Sequence, residues 1–333
     1  MKSAFFLALF LIVACSNVNA EWYGDKQTIM GTSVSVTLWH ENKTEADHAI
    51  AAVMAEMHRV DQTLSPYIAT SELARVNRDA PSGPTPVSAE LKNIIDKALY
   101  FSRLSEGAFD ISFASIGRFY DYRERQQPAD QQRQRLLAAI NYRLIELDRN
   151  ASTLYFGHPD LRIDLGGIAK GYAVDNAIAL LKQLGIEYAS VSAGGDSRLL
   201  GDRGGKPWYV GIKNPRGQHR QGEEVAIMLP LDNVAVSTSG DYERFFIDDS
   251  GERIHHILNP RTGRSTNGIA SVTVIGPRGF DTDPLSTTVF VLGVDQGLPL
   301  VNRLPGFDCV IIDSTGQVYY SNGLTPPAQT PEN

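Results

Sequence analysis

Apolar residues fall on every second position at Val34, Val36 and Leu38, with Ser and Thr between them. That alternation turns one side of an extended chain toward a core and the other toward water, so it predicts a half-buried strand. The period then changes. Ala46, Ile50, Val53, Met57, Val60 and Leu64 recur every three or four positions, the spacing of one helical face, with Thr44 expected as N-cap. Ser88 is expected to cap a second helix carrying Leu91, Ile95 and Ala98. The polar stretch 123–135, rich in Gln and Arg, predicts an exposed loop leading into a helix with Leu136, Leu137 and Ile140. Strands are expected at 188–192, 208–212, 225–229, 272–275 and 309–312. No short repeat or heptad is visible, and strands and helices mix without strict alternation. The predicted class is therefore α+β, mixed sheets with flanking helices, as one domain over 21–324.

The two ends depart from this globular pattern. Residues 1–20 read as an export signal: Lys2, an apolar run over 5–14, and Val18-Asn19-Ala20 as a small-residue cleavage site before Glu21. The run is too short to span a bilayer. Ile12-Val13-Ala14-Cys15 also fits a bacterial lipobox, with Cys15 as the lipidated residue. Both readings predict an exported, periplasmic protein, either soluble after cleavage past Ala20 or lipid-anchored at Cys15. The Pro-rich residues 325–333 read as a disordered tail. Cys309 then stands alone in an apolar run and is expected to be a core residue. Lys and Arg total 31 against 38 Asp and Glu, a net charge of −7, which argues against nucleic acid as a partner.

The chemistry concentrates around 164–175. Leu161-Arg162-Ile163 reads as a short strand, Gly166-Gly167 turn the chain, and a helix follows with Ala169, Ala173, Ala177, Leu180 and Leu184 on one face. Such a corner offers free N–H groups and a positive helix end, with Lys170 in the first turn, and so suits an anion such as phosphate. Asp164 would repel that anion unless it meets a metal or a hydrogen-bond donor. Plain loop chemistry gives the same pattern. Asp283 and Thr287 lie four apart; if Pro284 opens a helix, both oxygens face one way from its first turn, a donor set suited to Mg²⁺. An ordinary N-cap and N1 pair, Asp-Pro, is the competing reading. His256, next to His255, is the candidate base because an unperturbed imidazole titrates near about 6.5; a purely structural histidine is the alternative. Tyr67 offers a flat ring with a polar tip that could stack on an aromatic ligand, or is a turn aromatic after Pro66. Asp196, after Gly194-Gly195, reads as a turn residue.

Segment 164–175 resembles the central motif of the ApbE family, the FAD:protein FMN transferases. Blocks similar to that family's follow in its order: Met30-Gly31-Thr32, then Leu64-Ser65-Pro66-Tyr67 with Ser71-Glu72-Leu73 and Asn77, then Gly107-Ala108-Phe109-Asp110. Later come Ala193-Gly194-Gly195-Asp196, Ser239-Gly240-Asp241-Tyr242, His255-His256-Ile257, Pro260-Arg261-Thr262-Gly263, and 283–293. The resemblance implies a single ApbE-like domain related to the T-fold. It implies Mg²⁺ held by Asp283, Thr287 and the main-chain oxygen of Gly167. FAD, the substrate, would lie among Met30, Tyr67, Ala108, Phe109, Asp110, Asp164, Lys170 and Ile257. A Thr or Ser hydroxyl of an acceptor protein, expected to be a subunit of a membrane redox complex, would attack the flavin-side phosphorus and expel AMP. His256, or else Asp283 or the metal, would free that hydroxyl. A Mg²⁺-dependent FAD pyrophosphatase and a non-catalytic periplasmic flavin-binding protein would use nearly the same residues. Three positions depart from the family pattern. Thr282 and Pro284 stand where small residues are common, and Asn259 replaces an aspartate, removing a negative charge near the site.

Overall fold

The computed structural model describes residues 21–217 and 224–324. The expected export signal with Cys15, and the expected tail at 325–333, lie outside them. Eight strands form one sheet whose spatial order follows chain order: β1 (Glu21–Ile29), β2 (Thr32–His40), β3 (Ala189–Ala193), β4 (Asp196–Leu200), β5 (Ala235–Gly240), β6 (Ile269–Gly276), β7 (Asp308–Asp313) and β8 (Val318–Tyr320). Every neighbouring pair is antiparallel. β6 is buried along its whole length because both faces of the sheet are covered. On one face Cys309 and Ile311 join Val272 and Val274 in the main core. On the other, Val310 and Ile312 meet Ile212, Ile227 and Leu229 of the hairpin formed by Trp208–Lys213 and Val225–Leu231. Cys309 is thus a packing residue as expected, and burial pushes its thiol up to about 12, far from the reactive range.

Helices pack with the sheet into an α+β architecture, as the mixed pattern predicts. In α1 (Lys43–Leu64) the whole expected face from Ala46 to Leu64 is buried. Its N-cap, however, is Asn42, whose Oδ1 accepts from Thr44 N at 2.9 Å; Thr44 already lies inside the helix. α2 (Glu72–Asp79) follows, and Ser88 caps α3 (Ala89–Leu104) by accepting from Leu91 N at 3.1 Å. The polar stretch 123–135 does not remain a loop. A helix forms within it at Asp130–Leu136, and Leu137 opens only a 3₁₀ turn. Pro128 and Ala129 precede the start, and Asp130 suits a first helical turn, so the helix begins before the apolar residues that anchor its end.

Leu161-Arg162-Ile163 belongs to no sheet. Leu161 and Ile163 are buried, as the alternation implies, but the backbone is satisfied by side chains instead of a strand partner. Ser115 Oγ accepts from Arg162 N at 3.0 Å, and Asn77 bonds both N and O of Ile163 at 2.8 Å. α4 (Ala169–Gln183) buries Ala169, Ala173 and Ala177 and continues through Leu181. Leu180 is only half-buried and Leu184 lies exposed beyond the helix, because the covered stripe follows the i, i+4 row. α5 (Gly279–Asn302) packs on β5, β6 and α4 and is broken at Gly293, where φ is 73°. Pro284 therefore lies inside a helix that starts at Gly279, and does not open it.

Candidate active site

The site grows out of the crossing of α4 and α5. Gly171 on α4 and Gly279 on α5 let the two backbones touch. A β-carbon on Gly171 would collide with the Gly279 carbonyl oxygen and lie 2.7 Å from Asp283 Cβ, and one on Gly279 would lie 2.5 Å from the Gly171 oxygen. Neither helix has a local side-chain cap, and each caps the other. Asp175 of α4 accepts from the N–H groups of Gly279 and Phe280 at 2.9 and 3.0 Å. Asp283 of α5 returns the favour to α4, its Oδ2 accepting from Gly171 N at 2.9 Å. The Asp-Pro pair is thus no N-cap for its own helix.

One oxygen at this corner is left outside the helix. The Gly171 N–H, at the third position of α4 where the helix itself offers no acceptor, is taken up by Asp283, and the Gly167 carbonyl, one residue before the N-cap Ile168, lies outside the α4 ladder. Gly167 also lies beside Thr287: a β-carbon on it would be 3.5 Å from Thr287 Oγ1. Asp283 and Thr287, one turn apart on α5, face the same way. Ser239 Oγ fixes the hydroxyls, lying 3.3 Å from Thr287 Oγ1 and 2.8 Å from Ser286 Oγ. Among the described residues no three His, Cys, Asp or Glu side chains gather as a metal cluster. The donors here are one carboxylate, one hydroxyl and one carbonyl, all oxygen, a partial shell that fits Mg²⁺ completed by substrate and water.

The electrostatics favour a cation. Asp283 is 3% exposed, and burial with the nearby Asp196 charge raises its carboxyl to about 7 despite Lys170 and the Gly171 N–H. Asp196 is a buried residue of β4, 2% exposed and 3.0 Å from Lys170 Nζ; the turn is made by Gly194-Gly195 alone. The sequence reading of Asp196 as a turn residue is corrected accordingly. Burial works to discharge Lys170, but Asp196 and Asp283 outweigh it and hold the ammonium above its ordinary range. Lys170 Nζ is 2.7 Å from the Gly166 carbonyl and 3.5 Å from Asp283 Oδ1. Asp164 is half-buried, accepts from Gly166 N at 2.6 Å, and is raised by burial.

The two histidines divide cleanly. His255 is fully engaged: its Nε2 is 2.7 Å from the Thr266 carbonyl, and its Nδ1 accepts from Ile257 N at 3.3 Å. His256 Nδ1 is buried without a hydrogen-bond partner. Burial, with the His255, Arg244 and Lys170 charges, pulls His256 down to about 3, so the ring is neutral. His256 N donates to the Arg244 carbonyl at 3.2 Å. Asn259 Oδ1 accepts from Arg261 N at 2.9 Å, a turn contact that an amide makes as well as a carboxylate.

The remaining expected residues take varied positions. Met30 and Gly31 form the β1–β2 turn with φ of 55° and 67°, a conformation that directs the Met30 side chain onto the main core. Tyr67 is 80% exposed, free to stack on a ligand. Ala108, Phe109, Asp110 and Ile257 are buried. Phe109 backs Gly167, its Cε2 lying 3.2 Å from where a β-carbon would stand. Asp110 spends its oxygens internally, on Ser112 and on Tyr142 N at 2.8 Å, and so braces the wall of the site. Asp196, Asp175 and Arg244 were not singled out from sequence as site residues. For Asp196 a signal existed: two glycines already make the turn, leaving the aspartate unneeded there.

Known proteins are similar to this chain over most of its length. An FAD:protein FMN transferase of Treponema pallidum is 29% identical over 91% of this chain and 87% of its own length. One from Vibrio cholerae is 32% identical over 81% of each. The crystal structure of the ApbE protein from Thermotoga maritima superposes with a TM-score of 0.82 at 32% identity, covering 91% of this chain and 98% of that one. The ApbE family profile spans residues 30–311, which takes in every element of the crossing, the oxygen donors and both histidines. On this span, and on relatives that match it end to end, the chain belongs to the ApbE family.

Proposed function

We propose that Asp283, Thr287 and the Gly167 carbonyl hold Mg²⁺ beside bound FAD, and that His256 collects the proton of the attacking hydroxyl. The chain is an FAD:protein FMN transferase. Bound Mg²⁺ would draw charge from the diphosphate oxygens during transfer. A Thr or Ser oxygen of the acceptor protein bonds to the flavin-side phosphorus. The bond from that phosphorus to the bridging oxygen breaks, AMP leaves with the electron pair, and FMN remains as a phosphoester. His256 Nδ1 accepts the hydroxyl proton when the ring carries its own proton on Nε2. So weak a base suits phosphoryl transfer, where positioning and charge stabilisation dominate and the proton is given up late. Tyr67 stacks on the flavin or adenine ring, and Met30, Phe109 and Ile257 shape the pocket around it. Asp283 cannot double as the base while it holds the metal.

The observation that carries this reading is the crossing of α4 and α5, which ties Asp283 to Gly171 and sets Gly167 beside Thr287, so that all three proposed oxygen donors belong to one corner. Export to the periplasm, with or without lipid at Cys15, and an acceptor in a membrane redox complex complete the proposal. Intact-protein mass spectrometry on an acceptor domain incubated with the enzyme, FAD and Mg²⁺ tests it, with EDTA as control. A Mg²⁺-dependent gain of one FMN on Thr or Ser is expected. Free FMN and AMP beside an unmodified acceptor would instead assign water as the nucleophile.

A further inference from the structure

We infer that Arg244 binds the diphosphate of FAD, a role that rests on the FAD reading above. Two cations act on the heart of the site: Lys170 and Arg244 both impose their charge on Asp164 and on His256. Lys170 is already committed. An ammonium has three donors, and Lys170 Nζ has three protein oxygens around it, from Gly166 at 2.7 Å, Asp196 at 3.0 Å and Asp283 at 3.5 Å. None is left over for a substrate phosphate.

Arg244 is in the opposite condition. Its guanidinium has about five N–H donors, and among the described residues one of them bonds, Nη2 to the Gly31 carbonyl at 3.3 Å. It makes no ion pair with any described carboxylate, although its charge reaches Tyr67, Tyr122, Asp164 and His256. Nor is it a loose surface residue. Its carbonyl accepts the His256 N–H at 3.2 Å, and its side chain reaches the Met30–Gly31 turn, so it spans from the base to the flavin-side wall. A planar fork of unused donors at that point matches two oxygens of a diphosphate, the strong anion that FAD brings. The same contact counters charge on the phosphoryl oxygens as the P–O bond breaks. Arg244 thereby supplies the anion site that the helix corner suggests but that Lys170, held by two carboxylates, does not.

The test is FAD affinity, read by flavin fluorescence on the purified chain in EDTA as NaCl is raised, for wild type, Arg244→Gln, Arg244→Met and Arg244→Lys. Thermal melts accompany each variant; Arg244 is exposed in a turn, and all three are expected to fold. The uncharged variants should lose roughly 10- to 100-fold in affinity and show a flatter salt dependence, with Lys recovering part of both. Wild-type affinity in both uncharged variants would overturn the inference. So would a loss with the salt slope unchanged, which would make Arg244 a mere pin for the turn. A wild-type chain that binds no FAD would overturn the FAD reading along with this one, so the two failures are distinct.

Discussion

Burial and charge pull against each other at Asp283. Burial and Asp196 drive its carboxyl up to about 7, and Lys170 with one N–H is too little to restore it. A divalent cation at the open oxygens would resolve the conflict, so under the proposed metal assignment the reaction depends on this residue. Asp283→Ala should abolish Mg²⁺-dependent FMN transfer, a fall of about 10³-fold or more. Asp283→Asn keeps an acceptor for Gly171 N but no charge, and should fall as far while melting near wild type; full activity in either variant refutes the metal assignment. His256→Ala should slow transfer by roughly 10²- to 10⁴-fold while FAD still binds, and parallel loss of both would make the residue structural. The four-residue spacing of Asp283 and Thr287 made their shared helix face legible, whereas the metal role of that pair and the base role of His256 come from the family resemblance and belong to the proposal. Asp196 and Arg244 were not legible, since an acid after two glycines imitates a turn and an exposed arginine imitates a solvated one.

At the level of elements, the meeting of α4 and α5 depends on two residues that have no side chain to spare. Gly171→Ala forces a methyl group onto the Gly279 backbone, which cannot swing aside as a side chain would. The expected cost is about 3 kcal/mol or more, read as a lower urea midpoint, with Mg²⁺ affinity falling too because Asp283 shifts; an unchanged midpoint would mean the crossing is looser than it looks. Asp175→Ala removes the acceptor for two N–H groups of α5. That should cost about 1–2 kcal/mol, with a smaller loss from Asp175→Asn. This exchange of caps also explains a miss in the sequence reading. Asp283-Pro284 looks like a helix start by local rules, yet α5 begins at Gly279 because its cap comes from a residue 104 positions away. Strands β2, β3, β6 and β7 and the faces of α1 and α3 depend on nearest neighbours along the chain and were legible, whereas β1, β4, β5 and β8 were not read from the pattern. Caps and backbone partners borrowed from afar, as at Ile163 with Asn77, leave no local trace.

For the molecule as a whole, the strand order of the sheet follows chain order, and the site draws on the β1–β2 turn, on β4 and β5, and on the helix crossing, so it needs most of the fold. Function is therefore coupled to global stability through the charge buried at that crossing. The unfolded chain releases the Asp283 proton near about pH 4, whereas the folded, metal-free chain holds it until about 7. Between those values the folded state carries the extra proton, so this group's stabilising contribution is full below about pH 4 and is lost as the pH rises through 7. Under the proposed metal assignment Mg²⁺ would bind the ionised carboxylate in the folded state alone, and so add stability by mass action where that proton is absent. The melting temperature in EDTA should consequently decline relative to that in Mg²⁺ as the pH climbs from about 5 past 7, and the gap should close in Asp283→Asn. A Mg²⁺ effect equally large in acid and alkali would place the cation on surface carboxylates instead. A gap that persists in the Asn variant would do the same, because surface groups ionise in folded and unfolded chains alike and keep their affinity when Asp283 is gone.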